Sequence, residues 1–136
     1  MYVEAEIYNP GDIYLTNDYA NTVKHGQSIH YELNTYANPD MAYLKYLKII
    51  LESYLGDADL FVSFSNPNPN LSDNDYMSRR SGNYDEIIIT EEGMQNLNSL
   101  NRTIYFNVIG FKRTQYKVRF EYEYLPNYNA LLEDAF

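Results

Sequence analysis

Carboxylates stand in close pairs along this chain: Glu4 and Glu6, Asp57 and Asp59, Asp73 and Asp75, Asp85 and Glu86, Glu91 and Glu92. Two carboxyl groups held about 5 to 10 Å apart across a cleft would suit glycoside hydrolysis, but nothing in the sequence marks such a cleft. Acidic residues in Asn-rich loops suit a hard cation better, because calcium takes about six to eight oxygen ligands from carboxylates, carbonyls and amides. The segment "SDNDYMS", 72–78, lacks the glycine and the distal glutamate of an EF-hand loop, so it spells no complete cage. Asp57 and Asp59, flanking Ala58 in "GDADLFVSFS" (56–65), admit two readings. Their side chains can accept backbone N–H groups where a hairpin begins, or they can ligate calcium. Turn chemistry is the first expectation and calcium the second.

Nucleophilic chemistry has little to work with. The chain has two histidines, His25 and His30, and no cysteine. That composition excludes disulfides, thiolate zinc sites and cysteine nucleophiles. His30 alternates with Ser28 and Glu32, which sets it on the polar face of a sheet rather than beside a nucleophile. G-x-S-x-G, H-E-x-x-H, phosphate-binding and dinucleotide-binding glycine motifs are absent. The expectation is a protein without enzymatic activity or catalytic residues.

The elements that would position these groups are strands. In "QYKVRFEYEY", 115–124, Tyr116, Val118, Phe120, Tyr122 and Tyr124 alternate with charged residues, the period of a half-buried strand. Ile29, Tyr31 and Leu33 repeat the pattern in "SIHYELNTY", 28–36, as do Leu60, Val62 and Phe64 in "DLFVSF". "DEIIIT", 85–90, and "TIYFNVIGF", 103–111, are rich in β-branched and aromatic residues and add two more. "YLKYLKIILES", 43–53, fits a strand or a three-turn helix and is read as a strand from its neighbours. "EEGMQNLNSLN", 91–101, promises no more than one helical turn, given Gly93 and its Asn and Ser residues. Loops fall at "NPGD" 9–12, "ANPD" 37–40, "NPNPNLSDND" 66–75 and "RRSGN" 79–83. Seven or so short strands separated by such loops predict an all-β fold, a single antiparallel β-sandwich of jelly-roll type. Residues 1–25 form an N-terminal segment with a first strand, 26–125 the sandwich core and 126–136 a tail or linker.

Composition narrows the partners. A chain of 136 residues is long enough for one core. Ten basic against 19 acidic residues, a net charge of −9, argue against nucleic acid, which demands a basic stripe. No stretch approaches the ~20 apolar residues that span a bilayer, so no membrane insertion is expected; "YLKIIL", 46–51, is interrupted by Lys48. The opening "MYVEAEIYNP" lacks a signal peptide's basic and apolar regions, and the chain is expected to begin inside a longer precursor. Asn70 and Asn101 head N-x-S/T triplets that permit glycosylation on a secretory route. The 16 tyrosines suit sandwich cores and recognition surfaces alike. Of these, Tyr43, Tyr54, Tyr76 and Tyr84 lie in or beside loops.

Four pieces in register resemble the bacterial pre-peptidase C-terminal domain family, over roughly residues 26–124. They are Gly56, Asp57, Asp59, Leu60, Phe61 and Val62; Asp75, Tyr76 and Ser78; Gly82, Asn83 and Glu86; and Phe106, Val108, Gly110 and Phe111. The chain departs from that pattern in lacking a cysteine pair some members carry, and in its longer, more polar segment 91–101. The resemblance implies a jelly-roll-like sandwich without catalytic residues, attached to secreted enzymes or surface proteins. In related collagen-binding domains an acidic segment before the sandwich holds calcium, which makes Glu4 and Glu6, in "VEAEIYN" (3–9), candidate ligands beside Asp57 and Asp59. The function expected is a non-catalytic extracellular or cell-surface accessory or adhesion module, binding protein or glycan, with calcium as a possible cofactor. The alternative is a structural repeat in a large surface or filament protein, contacting neighbouring domains of its own parent chain.

Overall fold

Alternation decides the strands, and in the computed structural model, which describes residues 7–8, 11–80 and 83–128, it is read out directly as burial. The strands are β1 (Ile7–Tyr8), β2 (Tyr19–Val23), β3 (Ser28–Asn34), β4 (Leu44–Leu55), β5 (Ala58–Ser63), β6 (Tyr76–Ser78), β7 (Tyr84–Ile89), β8 (Thr103–Gly110) and β9 (Thr114–Tyr124). Along β3, buried Ile29, Tyr31 and Leu33 alternate with half-buried neighbours. Along β9, Tyr116 and Val118 are buried, and Phe120, Tyr122 and Tyr124 pack against the core edge. The ambiguous 43–53 segment is a strand, β4, paired with β9 on one side and β7 on the other.

The strands form two layers, one ordered β2-β9-β4-β7 and the other β1-β3-β8-β5-β6. The pairings are antiparallel except for the short β1, which runs parallel to β3. With β1 set aside, the two orders are those of a jelly roll. Side chains from both inner faces fill the space between the sheets, with Leu47, Ile49 and Leu51 from β4 and Ile104, Phe106 and Val108 from β8 in one buried core. On the outer face of the four-stranded sheet, charges pair laterally. Arg119 reaches Glu52 (2.9 Å) and Glu121 (3.1 Å), and Lys48 reaches Glu121 (3.4 Å). Between Lys48 and Glu52 on the same face of β4 lies Ile50, wholly buried.

The segment 91–101 departs from expectation: it holds a nine-residue helix, α1 (Glu91–Ser99). Thr90 caps it through its hydroxyl to the Gly93 N–H (3.4 Å), and Glu91 and Glu92 sit in the first turn, where the helix dipole favours negative charge. Met94 and Leu97 are buried. Gly93 is there for space rather than to break the helix, since a Cβ would lie 2.8 Å from Ile89 Cγ2 and from the Tyr76 hydroxyl. Tertiary packing thus overrides the low propensity of the segment.

Inside the sandwich Tyr31 of β3 and Tyr116 of β9 join hydroxyls across the two sheets. Burial raises both phenols, Tyr31 to about 12. A phenol whose folded pKa lies above its unfolded value of about 10 stabilises the fold fully below that value and loses the contribution as pH rises toward the folded pKa. Urea unfolding midpoints should therefore fall between about pH 10 and 12. Replacing both residues by Phe should flatten that fall, whereas Tyr116→Phe alone, which strands the Tyr31 hydroxyl in the core, should cost about 1–3 kcal/mol at neutral pH. An alkaline profile unchanged in the double variant would contradict the assignment.

Candidate functional site

Two places collect functional side chains. The first begins at the β4–β5 turn. Gly56 takes the left-handed conformation (φ +93°), and the Asp57 main-chain carbonyl accepts the N–H groups of Phe111 (2.9 Å) and Lys112 (3.1 Å). The turn therefore rests on the glycine and a carbonyl, not on the Asp57 side chain as the turn reading had it. Oδ1 of Asp57 is buried and has no hydrogen-bond partner among the described residues.

Asp85 joins this turn from β7. Asp85 and Glu86 are neighbours in sequence, but strand alternation sends them to opposite faces: Glu86 outward, 4.0 Å from Lys48, and Asp85 inward and wholly buried. One carboxylate oxygen from each of Asp57, Asp59 and Asp85 lies within 4.8 Å of the others. The strands β6 and β7 end their respective sheets, so the cluster sits at the seam where the two sheets close on each other. Oδ1 of Asp85 accepts the Ser78 hydroxyl (2.7 Å) and the Arg80 N–H (2.9 Å), while its buried Oδ2 has no partner among the described residues. Arg79 Nε lies 3.7 Å from Asp59 Oδ2.

Crowding of like charges in a dry place has its usual consequence. Burial, with help from Asp57 and Asp85 and opposition from Arg79, raises Asp59 to about 6. Burial also raises Asp85, against the hydrogen bonds from Ser78 and Arg80. The other sequence candidates go elsewhere. Glu4 and Glu6 lie outside the described residues. Asp75 fastens its loop by accepting the Phe64 N–H (2.8 Å) and the Ser63 hydroxyl (3.2 Å), and Asp73 accepts the Asn66 amide (2.9 Å). His30 stands opposite Asn107 across the β3–β8 pair, and His25 is exposed.

The second place is an end of the sandwich rich in tyrosine. Tyr124 stacks on Tyr128 (centroids 4.1 Å apart), and Tyr122 and Tyr43 meet that pair edge-on at 5.8 Å. A cleft of about 210 Å³ opens beside them, lined by Tyr14, Leu15, Asn38, Asp40, Tyr122 and Tyr124 among others. Buried Asn38 holds one wall, accepting the Leu15 N–H (2.9 Å) and donating to the Ile13 carbonyl (2.8 Å). Tyr14 is half exposed at the rim. A larger cleft of about 370 Å³ runs between Tyr76 and the end of α1, lined by Phe64, Asn96 and Ser99.

The pre-peptidase C-terminal domain of the collagenase from Bacillus anthracis superposes on 89% of this chain and all of its own, with a TM-score of 0.54 and 14% identity. The chain has the fold of a pre-peptidase C-terminal domain. PliG, the periplasmic inhibitor of g-type lysozyme from Aeromonas hydrophila, is also similar in fold: it covers 88% of this chain and 99% of its own, with a TM-score of 0.55 and 7% identity. No protein-family model matches the sequence, and no curated protein does. In this pre-peptidase C-terminal fold, the motif residues read from the sequence frame the seam. Gly56, Asp57 and Asp59 enter β5, Ser78 ends β6, Asn83 and Glu86 flank Asp85, and Gly110 closes β8; Gly82 lies outside the described residues. Sequence reasoning paired Asp85 with Glu86 and so missed its union with Asp57 and Asp59. The signal that could have exposed it was the buried phase of "DEIII", which puts Asp85 on the same face as Ile87 and Ile89. The tyrosine end was missed in part: Tyr43 belongs to it, whereas Tyr54 is exposed elsewhere and Tyr76 and Tyr84 are half-buried.

Proposed function

We propose that this chain is a non-catalytic extracellular accessory module of a larger secreted or surface protein, binding protein or glycan through its tyrosine-lined end. The observation that carries the reading is the cleft beside the stacked Tyr124–Tyr128 pair, where rigid amphipathic rings meet the carboxylate of Asp40 at the rim. Aromatic rings supply contact area with little loss of side-chain entropy, and their hydroxyls keep a polar edge for sugar or peptide groups. A net charge of −9 adds a preference for basic partners and opposes anionic ones. The two similar folds fit an accessory role, one being a domain of a collagenase and the other an inhibitor of a lysozyme. No described helix is long and apolar enough to cross a membrane.

The test is binding of the purified chain to a g-type lysozyme, to fibrous collagen and to insoluble polysaccharides, each repeated with Tyr14→Ala and Tyr124→Ala. Tyr14 is half exposed, so its truncation should leave the unfolding midpoint in place while weakening binding about tenfold. Binding that survives both substitutions would discard the cleft. Failure to bind any of the three would favour a structural repeat whose contacts are with neighbouring domains.

A further inference from the structure

We propose that Asp57, Asp59 and Asp85 form a calcium site that clamps the two sheets together at the seam. Three carboxylates gathered within 4.8 Å would not suffice alone, because acidic clusters are common where no cation binds. The second observation is the state of the two innermost side chains. Asp85 is wholly buried, and with Oδ1 occupied by Ser78 and Arg80, its Oδ2 has no partner among the described residues. Oδ1 of Asp57 is buried and likewise has no partner among the described residues. A buried acceptor without a donor is costly, and two of them on residues whose carboxylates converge would be stabilised by a shared positive centre.

Charge favours a cation: three carboxylates converge, with Arg79 3.7 Å from Asp59 and the Arg80 charge acting on Asp85 from outside the cluster. The donors are hard oxygens, with no sulfur or imidazole among the three, which excludes a preference for zinc or copper. Their placement on a turn and two different strands suits calcium's pliant shell, where magnesium demands a near-ideal octahedron. The sheets gain a cross-link, since Asp57 and Asp59 enter the five-stranded sheet and Asp85 belongs to the four-stranded one. The site stands apart from the tyrosine-lined end in its residues, so either proposal can fail without the other.

The experiment is thermal unfolding of the full chain in calcium, in magnesium and in EDTA, together with tyrosine-sensitised terbium luminescence displaced by calcium. Calcium at about ten times its dissociation constant should raise the melting temperature by about 4 °C. Asp59→Asn and Asp85→Asn should each weaken binding at least tenfold and remove the increment, whereas Glu123→Gln, on an exposed position of β9, should keep it. If Asp85→Asn does not fold, Asp59→Asn carries the comparison. The proposal is overturned if the unaltered chain gives neither a calcium increment nor displaceable terbium, or if the increment survives in both Asn variants. A magnesium increment as large as that of calcium would overturn the choice of ion.

Discussion

Phe106→Ala should lower the stability of this protein by about 4 kcal/mol, the largest effect expected of any single truncation here. Phe106 lies at the middle of β8 with no exposed surface, its ring stacked on Tyr31 (centroids 4.8 Å, planes 16° apart) and set edge-on to Phe120 at 6.2 Å. Its loss removes the transfer free energy of a phenyl ring. It also leaves a cavity that the sheets cannot close, because β8 is held on both sides by β3 and β5. The cavity frees one face of Tyr31, so the Tyr31–Tyr116 hydroxyl pair loses part of its positioning as well. Against a total of roughly 5–15 kcal/mol for a domain of this kind, such a loss approaches unfolding. Urea denaturation checks it: the midpoint should drop steeply at constant slope, and Phe106→Leu should recover most of the loss. A cost below about 1 kcal/mol would mean that the ring is not the centre of the core.

Gly56→Ala should rank second, at about 3 kcal/mol or more. Two penalties combine. The left-handed backbone at φ +93° disfavours any L side chain by about 1 kcal/mol. A Cβ there would also lie 2.2 Å from the Arg113 carbonyl oxygen and 2.6 Å from Thr114 Oγ1, so main chain itself must move. Gly26→Ala separates the two terms. Its φ is +75°, but a Cβ would meet nothing within 4 Å, so only the conformational penalty of about 1 kcal/mol should appear. Equal losses in the two variants would refute the close approach of the turn to Arg113. Because Asp57 follows Gly56 directly, the same substitution should weaken the proposed calcium binding beyond its effect on stability.

Much of the sandwich could be read from local pattern. Strand periodicity is a property of consecutive residues, so β3, β5, β7, β8 and β9 were visible in the alternation or β-branched runs of their own segments. β4 was legible only with help from its neighbours. The helix α1 was underestimated because its support comes from Met94 and Leu97 entering the core and from the close seat of Gly93 on Tyr76, contacts that no window of nine residues contains. β2, with one fully buried residue in five, and β6, three residues long, carry too little pattern to stand out.

The candidate site divides the same way. Sequence by itself determined that the chain is a two-layer β protein, that Asp57 and Asp59 stand at the entry to β5, and that no thiol or basic patch is available for chemistry. Only the tertiary structure decided that Asp85 completes their cluster, that Tyr31 meets Tyr116 from 85 residues away, and that Tyr43, Tyr124 and Tyr128 gather at one end. The reason lies in the topology of a jelly roll: most of its connections cross from one sheet to the other, so groups far apart in the chain are brought together at the seams and ends, where side-chain alternation says which face a residue takes but not which strand it will meet.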